Sequence, residues 1–312
     1  MTRTIAVVGA TGAQGGGLAR AILNDPQERF ALRALTRRPD SDPARALAAL
    51  GADVVSADLD QPDTLRAAFD GADGAFCVTN FWEHMDPARE KVQARNQAEA
   101  ASAAGVGHVI WSTLEDTRER VPLSDDRMPT LMGEYKVPHF DAKGESDAVF
   151  RELTPATLVR ASFYWDNLIH FGMGPRREGG TAYFSLPMGN ARLPGIAAED
   201  IGRCVFGIFV EGEPLIGETI GLAGGQPTGD QMAAAMSDAL GEEVVYRAVP
   251  FDVYRGLGFP GAEDLGNMFQ YYHDFEEEFC AARPVERSRE LNPRLQSFPR
   301  WLEANAERIE IG

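Results

Sequence analysis

The sequence predicts an α/β protein built on a doubly wound parallel sheet, and three observations carry that expectation. Short apolar runs recur through the first half of the chain and alternate with helical patterns. The runs are continuous rather than alternating, as expected of strands whose two faces are both covered. The first of them leads into a glycine series and then a helix, the order in which such folds build a phosphate-binding turn.

Taken in order, strands are expected at 4–9, 30–36, 53–57, 74–79, 108–113 and 156–161, with helices between them at 14–24, 43–50, 62–69, 86–104 and 139–153. Asp60 and Asp63 flank Pro62 at the start of the third helix, where anionic caps and an N1 proline belong. After residue 162 the rhythm breaks, and Gly and Pro become frequent in "HFGMGPRREGG" and "SLPMGNARLPG". Residues 1–162 therefore read as a Rossmann domain and 163–312 as a smaller substrate or partner lobe. A helix at 198–210 and a strand near 217–223 place the segments around 195–223 back in the first unit. Beyond them, "TGDQMAAAMSDALG", "NMFQYYHDFEEEF" and "FPRWLEANAERI" have helical patterns.

Composition narrows the function. The 312 residues carry 30 basic and 47 acidic side chains, a net charge of −17, which argues against a nucleic-acid backbone as partner. No run reaches the ~18 apolar residues a bilayer crossing needs, and the brief apolar start does not predict a signal peptide. Three widely spaced cysteines, Cys77, Cys204 and Cys280, fit reduced thiols, so a cytoplasmic protein is expected. The 5 histidines show no paired ligand spacing, and no metal is expected.

The stretch "IAVVGATGAQGGGLARAIL" sets Gly9, Gly12 and Gly15 at three-residue intervals between strand and helix. A tight turn needs Gly9, close backbone approach to a pyrophosphate needs Gly12, and helix–strand packing favours Gly15. A merely glycine-rich turn is the competing reading. The second strand ends "LTRRPDS", where an NAD-binding loop usually offers an acid for the ribose hydroxyls. Arg37 and Arg38 stand there instead, suited to a 2′-phosphate, so NADP(H) is preferred to NAD(H). Asp58 and Leu59 follow the third strand and would flank the adenine; Thr79, Asn80 and Phe81 follow the fourth and would line the way to the nicotinamide.

The motifs "GATGAQGGGLARAIL", "VTNFWE", "HFDAKGE", "SFYWDNL" and "LGFPGAEDLGNMF", in this order, resemble the NmrA-like family, an atypical branch of the short-chain dehydrogenases. Within it the similarity is greatest to the HSCARG type of NADPH sensor, and it covers nearly the whole chain. The resemblance implies a Rossmann domain with a smaller C-terminal α/β lobe, binding NADP(H). The family's cofactor contacts fall here on Thr11, Gly12, Ala13, Gln14, Gly15 and Gly16, on Arg37 to Ser41, and on Asp58, Leu59, Thr79, Asn80 and Phe81. Further along they fall on Lys143 and on Tyr164, Trp165, Asp166 and Asn167. One departure is visible. Where the sensor type has a cofactor-contacting lysine after "VTNFWE", this chain has Val92, and its neighbour Lys91 points about 100° away around a helix.

In an ordinary short-chain dehydrogenase a tyrosine stands four residues before the ribose-binding lysine and passes the proton that accompanies hydride transfer. Lys143 keeps the lysine position, but His139 occupies the tyrosine's, and Tyr135 is a further turn back beyond Pro138. Three readings of His139 stay open: a packed or capping residue, a wall of the cofactor site, or a general acid. Ser112 and Thr113 end the fifth strand, either as site hydroxyls or as groups satisfying their own backbone. Tyr164 is a second phenol, read as a wall for the ring or as a catalytic group.

Two functions follow. A regulator that reads the NADP(H) redox state, with a protein partner, is the favoured one because the cofactor site is retained without the usual proton donor. The alternative is an NADPH-dependent reductase of a flat apolar electrophile such as a quinone, enone or imine. Phe81, Trp82, Phe163, Tyr164, Trp165 and Phe171 are available to line its pocket, or to fill the core. A nucleotide-sugar epimerase or dehydratase ranks lower, since it needs the tyrosine as base. Substrate, partner and a homodimeric state stay open.

Overall fold

The computed structural model describes residues 2–312. In chain order its elements begin β1 (Arg3–Val8), α1 (Ala13–Leu23), β2 (Phe30–Thr36), α2 (Asp42–Ala49), β3 (Asp53–Ser56), α3 (Pro62–Phe69), β4 (Gly74–Cys77) and α4 (Pro87–Ala103). Next come β5 (His108–Thr113), α5 (Pro138–Leu153), β6 (Ala156–Arg160), β7 (Phe163–Tyr164), α6 (Asn167–His170), β8 (Arg176–Glu178), β9 (Thr181–Leu186) and β10 (Gly195–Ile196). The chain continues through α7 (Ala198–Glu211), β11 (Thr219–Gly221), α8 (Gly229–Leu240), β12 (Val244–Ala248), α9 (Phe251–Arg255) and α10 (Ala262–Asp274). It closes with α11 (Glu276–Ala281), α12 (Val285–Leu291) and α13 (Phe298–Asn305).

Two compact units arise from this order. The first comprises residues 1–116, 142–161 and 198–220; the second comprises 117–141, 162–197 and 221–312. Among the described residues the first is built on a seven-stranded sheet of order β11-β6-β5-β4-β1-β2-β3. The pairs β1–β2, β1–β4, β2–β3, β4–β5 and β5–β6 are parallel. This is the doubly wound α/β fold expected. The order reverses between β1 and β4, and at such a switch point a crevice opens at the carboxyl ends of the strands.

Helices cover both faces. On one, Leu65, Ala68 and Phe69 of α3, Ala94, Ala98 and Ala101 of α4 and Phe150 of α5 pack with Ala6, Leu35, Ala75 and Trp111 of the sheet. On the other, Phe206 and Phe209 of α7 meet Phe30 edge-on. The helix α7 also lies against α1 with almost no side chain between them: a Cβ on Gly17 would sit 2.6 Å from the Glu199 carbonyl oxygen, and one on Gly202 would overlap the backbone of Gly17 and Leu18. Two glycines thus let the helix that opens the glycine loop be buried by a much later segment.

The second unit holds a three-stranded sheet, β12-β9-β8, in which β12 runs parallel and β8 antiparallel to β9. The β8–β9 hairpin turns at Gly179 and Gly180, both at positive φ. A capping box starts α8, with Thr228 and Gln231 bonding each other's backbone. Sequence patterning reads this region as chiefly helical. The difference arises because β9 and β12 are short and bordered by Gly and Pro. Aromatic packing fills the core: the Trp165 ring lies against Phe298 and Trp301, and Tyr272 against Phe279. Cys77, Cys204 and Cys280 are free thiols in buried positions, and burial pushes those of Cys77 and Cys204 well above the usual range. Among the described residues no helix is long and apolar enough to cross a membrane.

Candidate cofactor and catalytic site

The glycine loop follows β1 directly. Gly9 adopts φ +64°, its carbonyl accepts from Gly12 N–H at 2.8 Å, and a Cβ on Gly15 would overlap that same carbonyl. A side chain is therefore excluded at Gly15, and the positive φ favours glycine at Gly9. Gly12 is the N-cap of α1, with no side-chain cap and no acidic residue in the first turn. The helix therefore presents uncapped N–H groups and the positive end of its dipole toward the loop, an arrangement that fits a diphosphate. Thr11, Gly12 and Ala13 are exposed and Gln14 half-buried. Gln14 Oε1 accepts from the Ser112 hydroxyl at 2.8 Å, which ties the end of β5 to the loop.

The other residues of this unit expected to contact a cofactor lie at the ends of the neighbouring strands. Arg37 and Arg38 follow β2 and are exposed; Arg37 pairs with Glu83 at 2.5 Å. Ser41 is the N-cap of α2. Asp58 and Leu59, half-buried, follow β3: Asp58 caps Asp60 N–H, and the Leu59 carbonyl accepts from Asn96 at 2.8 Å. Asp60 is bonded by Arg89 and Gln93, and Arg89 chiefly holds its carboxyl below the usual range. Thr79 follows β4, with Asn80 exposed and Phe81 buried beyond it.

At the head of α4, Asp86 accepts from Ala88 and Arg89 N–H, and Pro87 sits in the first turn. The buried face of α4 is polar where it meets β4. Gln97 Oε1 accepts from Val78 N–H at 3.1 Å, and Glu90 Oε1 accepts from the Thr79 hydroxyl at 2.6 Å. Val92 is 55% exposed on the same helix, and Lys91 pairs with Glu145 of α5 at 2.6 Å.

Lys143 points inward. Its Nζ donates to Thr79 Oγ1 at 2.6 Å and to the Thr79 carbonyl at 3.2 Å, stands 2.9 Å from Glu90 Oε1, and lies over the Trp111 ring. One turn on, Asp147 accepts from the Thr113 hydroxyl at 2.5 Å and from Trp111 Nε1 at 3.1 Å. Burial pushes the Asp147 carboxyl up to about 6, against those two bonds and the charge of Arg160. Gly144 makes room for the Asp116 backbone, which a Cβ would overlap.

In the second unit, α5 begins behind a turn gathered by Asp141. Its carboxylate accepts from Thr117 N–H and hydroxyl at 2.8 and 2.6 Å and from Lys136 and Val137 N–H at 2.8 and 3.0 Å. His139 is 6% exposed, and its Nδ1 is 2.6 Å from Asp264 Oδ1, while its N–H donates to Asp264 Oδ2 at 3.2 Å. From the same turn of α10, Asn267 donates to the Lys136 carbonyl. Tyr135 lies before α5, buried, in a bridge with Leu131 and under the Arg118 guanidinium. Tyr164 and Asp166 are half-buried, Asn167 begins α6, and the Trp165 ring is wholly enclosed. Phe163 is likewise buried, and Phe171 is 62% exposed.

Two groups escape a reading of the sequence alone: Glu90 and Asp264. Glu90, Gln93 and Gln97 recur at i, i+3 and i+7 among the alanines that face the sheet, and that spacing is a signal for Glu90. Asp264 sits in the first turn of α10, where an acid needs no further explanation than the helix dipole.

A family model described as the NmrA-like family matches residues 1–300. The NmrA-like family domain-containing oxidoreductase FrzB of Cladobotryum sp is 31% identical, covering 92% of this chain and 88% of that protein. Among solved structures, NmrA, a negative transcriptional regulator, in complex with NADP superposes with a TM-score of 0.77 at 24% identity, covering 97% of this chain and 94% of that one. The same regulator has also been solved with NAD. The Citrobacter sp. triphenylmethane reductase complexed with NADP(H) gives a TM-score of 0.74 at 19% identity, covering 98% and 100%. The chain belongs to the NmrA-like family.

Proposed function

We propose that this NmrA-like protein binds NADP(H) and reduces a flat, apolar electrophile such as a quinone, enone or imine. The observation that carries the reading is the hydrogen bond between His139 Nδ1 and Asp264 Oδ1 at 2.6 Å. A carboxylate that bonds both the ring and the backbone N–H of a histidine fixes the ring's tautomer and direction, so any proton the ring passes on would go through Nε2. This is the usual protein device for general acid–base transfer, and it stands one helical turn before Lys143, where a short-chain dehydrogenase has its tyrosine. His139 would supply the proton and Lys143 would hold the ribose. The relatives named as oxidoreductases support the same direction.

When bound, NADPH supplies the hydride. The chain's own part is to hold it. The uncapped start of α1, with Thr11 to Gly16, suits the diphosphate; Arg37 and Arg38 suit a 2′-phosphate; Asp58 and Leu59 suit the adenine end. Thr79 to Phe81, Lys143 and Tyr164 to Asn167 complete the expected contacts.

A regulator that reads NADP(H) is the second reading, and one observation favours it. Lys143 Nζ is engaged by Thr79 and Glu90, with no phenol among its partners, so the ordinary proton-donating pair is missing. The HSCARG-type sensor relation expected from the sequence motifs belongs with this reading. Purified protein mixed with NADPH and a panel of quinones, enones and imines separates the two. Turnover above about one per minute, lost in Lys143→Ala, supports the reductase. Tight binding of NADPH without turnover on the whole panel supports the regulator.

A further inference from the structure

One buried charge stands outside the chemistry proposed for the reduction. Glu90 is 0% exposed, in the first turn of α4. A carboxylate so placed is retained only when it is paired and hydrogen-bonded. Its Oε1 takes the Thr79 hydroxyl at 2.6 Å and stands 2.9 Å from Lys143 Nζ. Its Oε2 faces His84 Nε2 at 3.3 Å. The two atoms are not aligned for a hydrogen bond, yet neither has another hydrogen-bond partner. His84 Nδ1 accepts from Asp86 N–H at 3.0 Å, so in the neutral ring the proton sits on Nε2, toward Glu90.

We propose that Glu90 is the positioning residue of Lys143: a buried counter-ion that holds the ammonium in place and turns the Thr79 hydroxyl to receive it. The geometry gives this in two ways. First, Glu90 is the anion that faces the ammonium within the core of this unit. Second, because the Thr79 hydroxyl spends its proton on Glu90, only its lone pairs point at Nζ, at 2.6 Å. The ammonium donates to Thr79 Oγ1 and to the Thr79 carbonyl, and Glu90 Oε1 stands beside it as an ion-pair partner. To reach a ribose hydroxyl, Lys143 would release the longer of its two hydrogen bonds, the carbonyl at 3.2 Å, and stay anchored by Thr79 Oγ1 and the charge of Glu90. The lysine then needs no tyrosine beside it to be held in position.

The inference rests on Lys143 as a cofactor contact, and its test reads binding rather than turnover. Calorimetry with NADPH on the full chain compares the wild type, Glu90→Gln, Lys143→Met and the double variant. Glu90→Gln is expected to weaken binding about tenfold when Lys143 is present and to change it little in the Lys143→Met background, since a residue acting through another loses its effect with that other. Equal losses in both backgrounds mark a merely structural role and overturn the proposal, as does unchanged or tighter binding in Glu90→Gln. If Glu90→Gln does not fold, Glu90→Asp, which keeps the charge but shortens the reach, takes its place in the cycle, and coupled or equal losses are read in the same way. Additive losses sink this proposal and leave the reductase reading standing, whereas a coupled loss in a protein that turns nothing over sinks the reductase reading alone.

Discussion

Gly17 and Gly202 face each other where α1 meets α7, at a separation that leaves no space for a methyl group on either. A Cβ on Gly202 would overlap Leu18 N and Gly17 C, atoms of the backbone that cannot rotate away. Gly202→Ala brings a helix-propensity gain of about 1 kcal/mol. Against it stands an overlap whose relief requires two helices to separate, at a cost of about 2 to 3 kcal/mol or more. The overlap wins, and denaturant melts should show a net loss of stability. An unchanged midpoint would mean that the helices do not pack as described.

Selection of the phosphorylated dinucleotide should rest more on Arg38 than on Arg37, because Arg37 is already paired with Glu83 at 2.5 Å. The double variant Arg37→Ala/Arg38→Ala is expected to weaken NADPH binding at least about tenfold while leaving NADH nearly unaffected, the size of a lost charge-assisted bond pair. Arg38→Ala alone should account for most of it. Calorimetry with both dinucleotides checks this, and equal affinities for both in the wild type would overturn it.

Two buried groups in the first unit titrate in opposite senses. Burial, with a smaller push from the Arg3 charge, holds His108 down to about 4, and its Nε2 lies 2.8 Å from the Thr157 hydroxyl. Its folded value is below the unfolded one, so its contribution is present above about pH 6.5 and is lost as pH falls toward 4. Asp147 is raised to about 6, so its contribution is present below about pH 4 and is lost as pH rises through 6. Each amounts to about 3 kcal/mol in order of magnitude, and in the wild type the two offset each other. Asp147→Asn should make stability rise with pH across this window, and His108→Gln should make it fall. Melts at several pH values check both slopes, and matching slopes in the two variants would refute the assignment.

The His139–Asp264 pair should matter to turnover and not to cofactor affinity. In Asp264→Asn the amide oxygen can keep the backbone N–H of His139, but the amide nitrogen facing Nδ1 can only donate, so the ring is held in the opposite tautomer. A reductase is expected to lose about a hundredfold in kcat, with KM for NADPH unchanged. His139→Asn should fall by a similar factor, and the double variant by little more than either. A loss confined to KM, or to thermal stability, would return His139 to a packing role.

How much of this could be read from residues alone depended on whether the chemistry was local. Continuous apolar runs such as "TIAVVG" announce buried parallel strands, because both faces must be covered, and the glycine loop announces itself by what side chains would obstruct. In β9 the burial alternates and the strand has six residues between glycine-rich turns, so its signal is faint. Glu90 and Asp264 were hidden for another reason. An acid in the first turn of a helix is ordinary on the surface; the spacing of Glu90 with Gln93 and Gln97 marks a buried polar face, but nothing within either helix names the lysine or histidine far along the chain that each acid will meet. Lys143 and His139 were legible because their four-residue interval lies within one helix.

The Gly17–Gly202 contact also has a meaning for biosynthesis. The helix that follows the glycine loop finds its cover in a segment made long after the first six strands have left the ribosome. Until then the nascent chain carries an uncovered apolar face, the circumstance in which chaperones engage and aggregation competes with folding. A recombinant fragment ending at residue 162 would keep that face bare permanently. Production of the first unit by itself therefore calls for grafting 198–220 onto the fragment rather than for simple truncation.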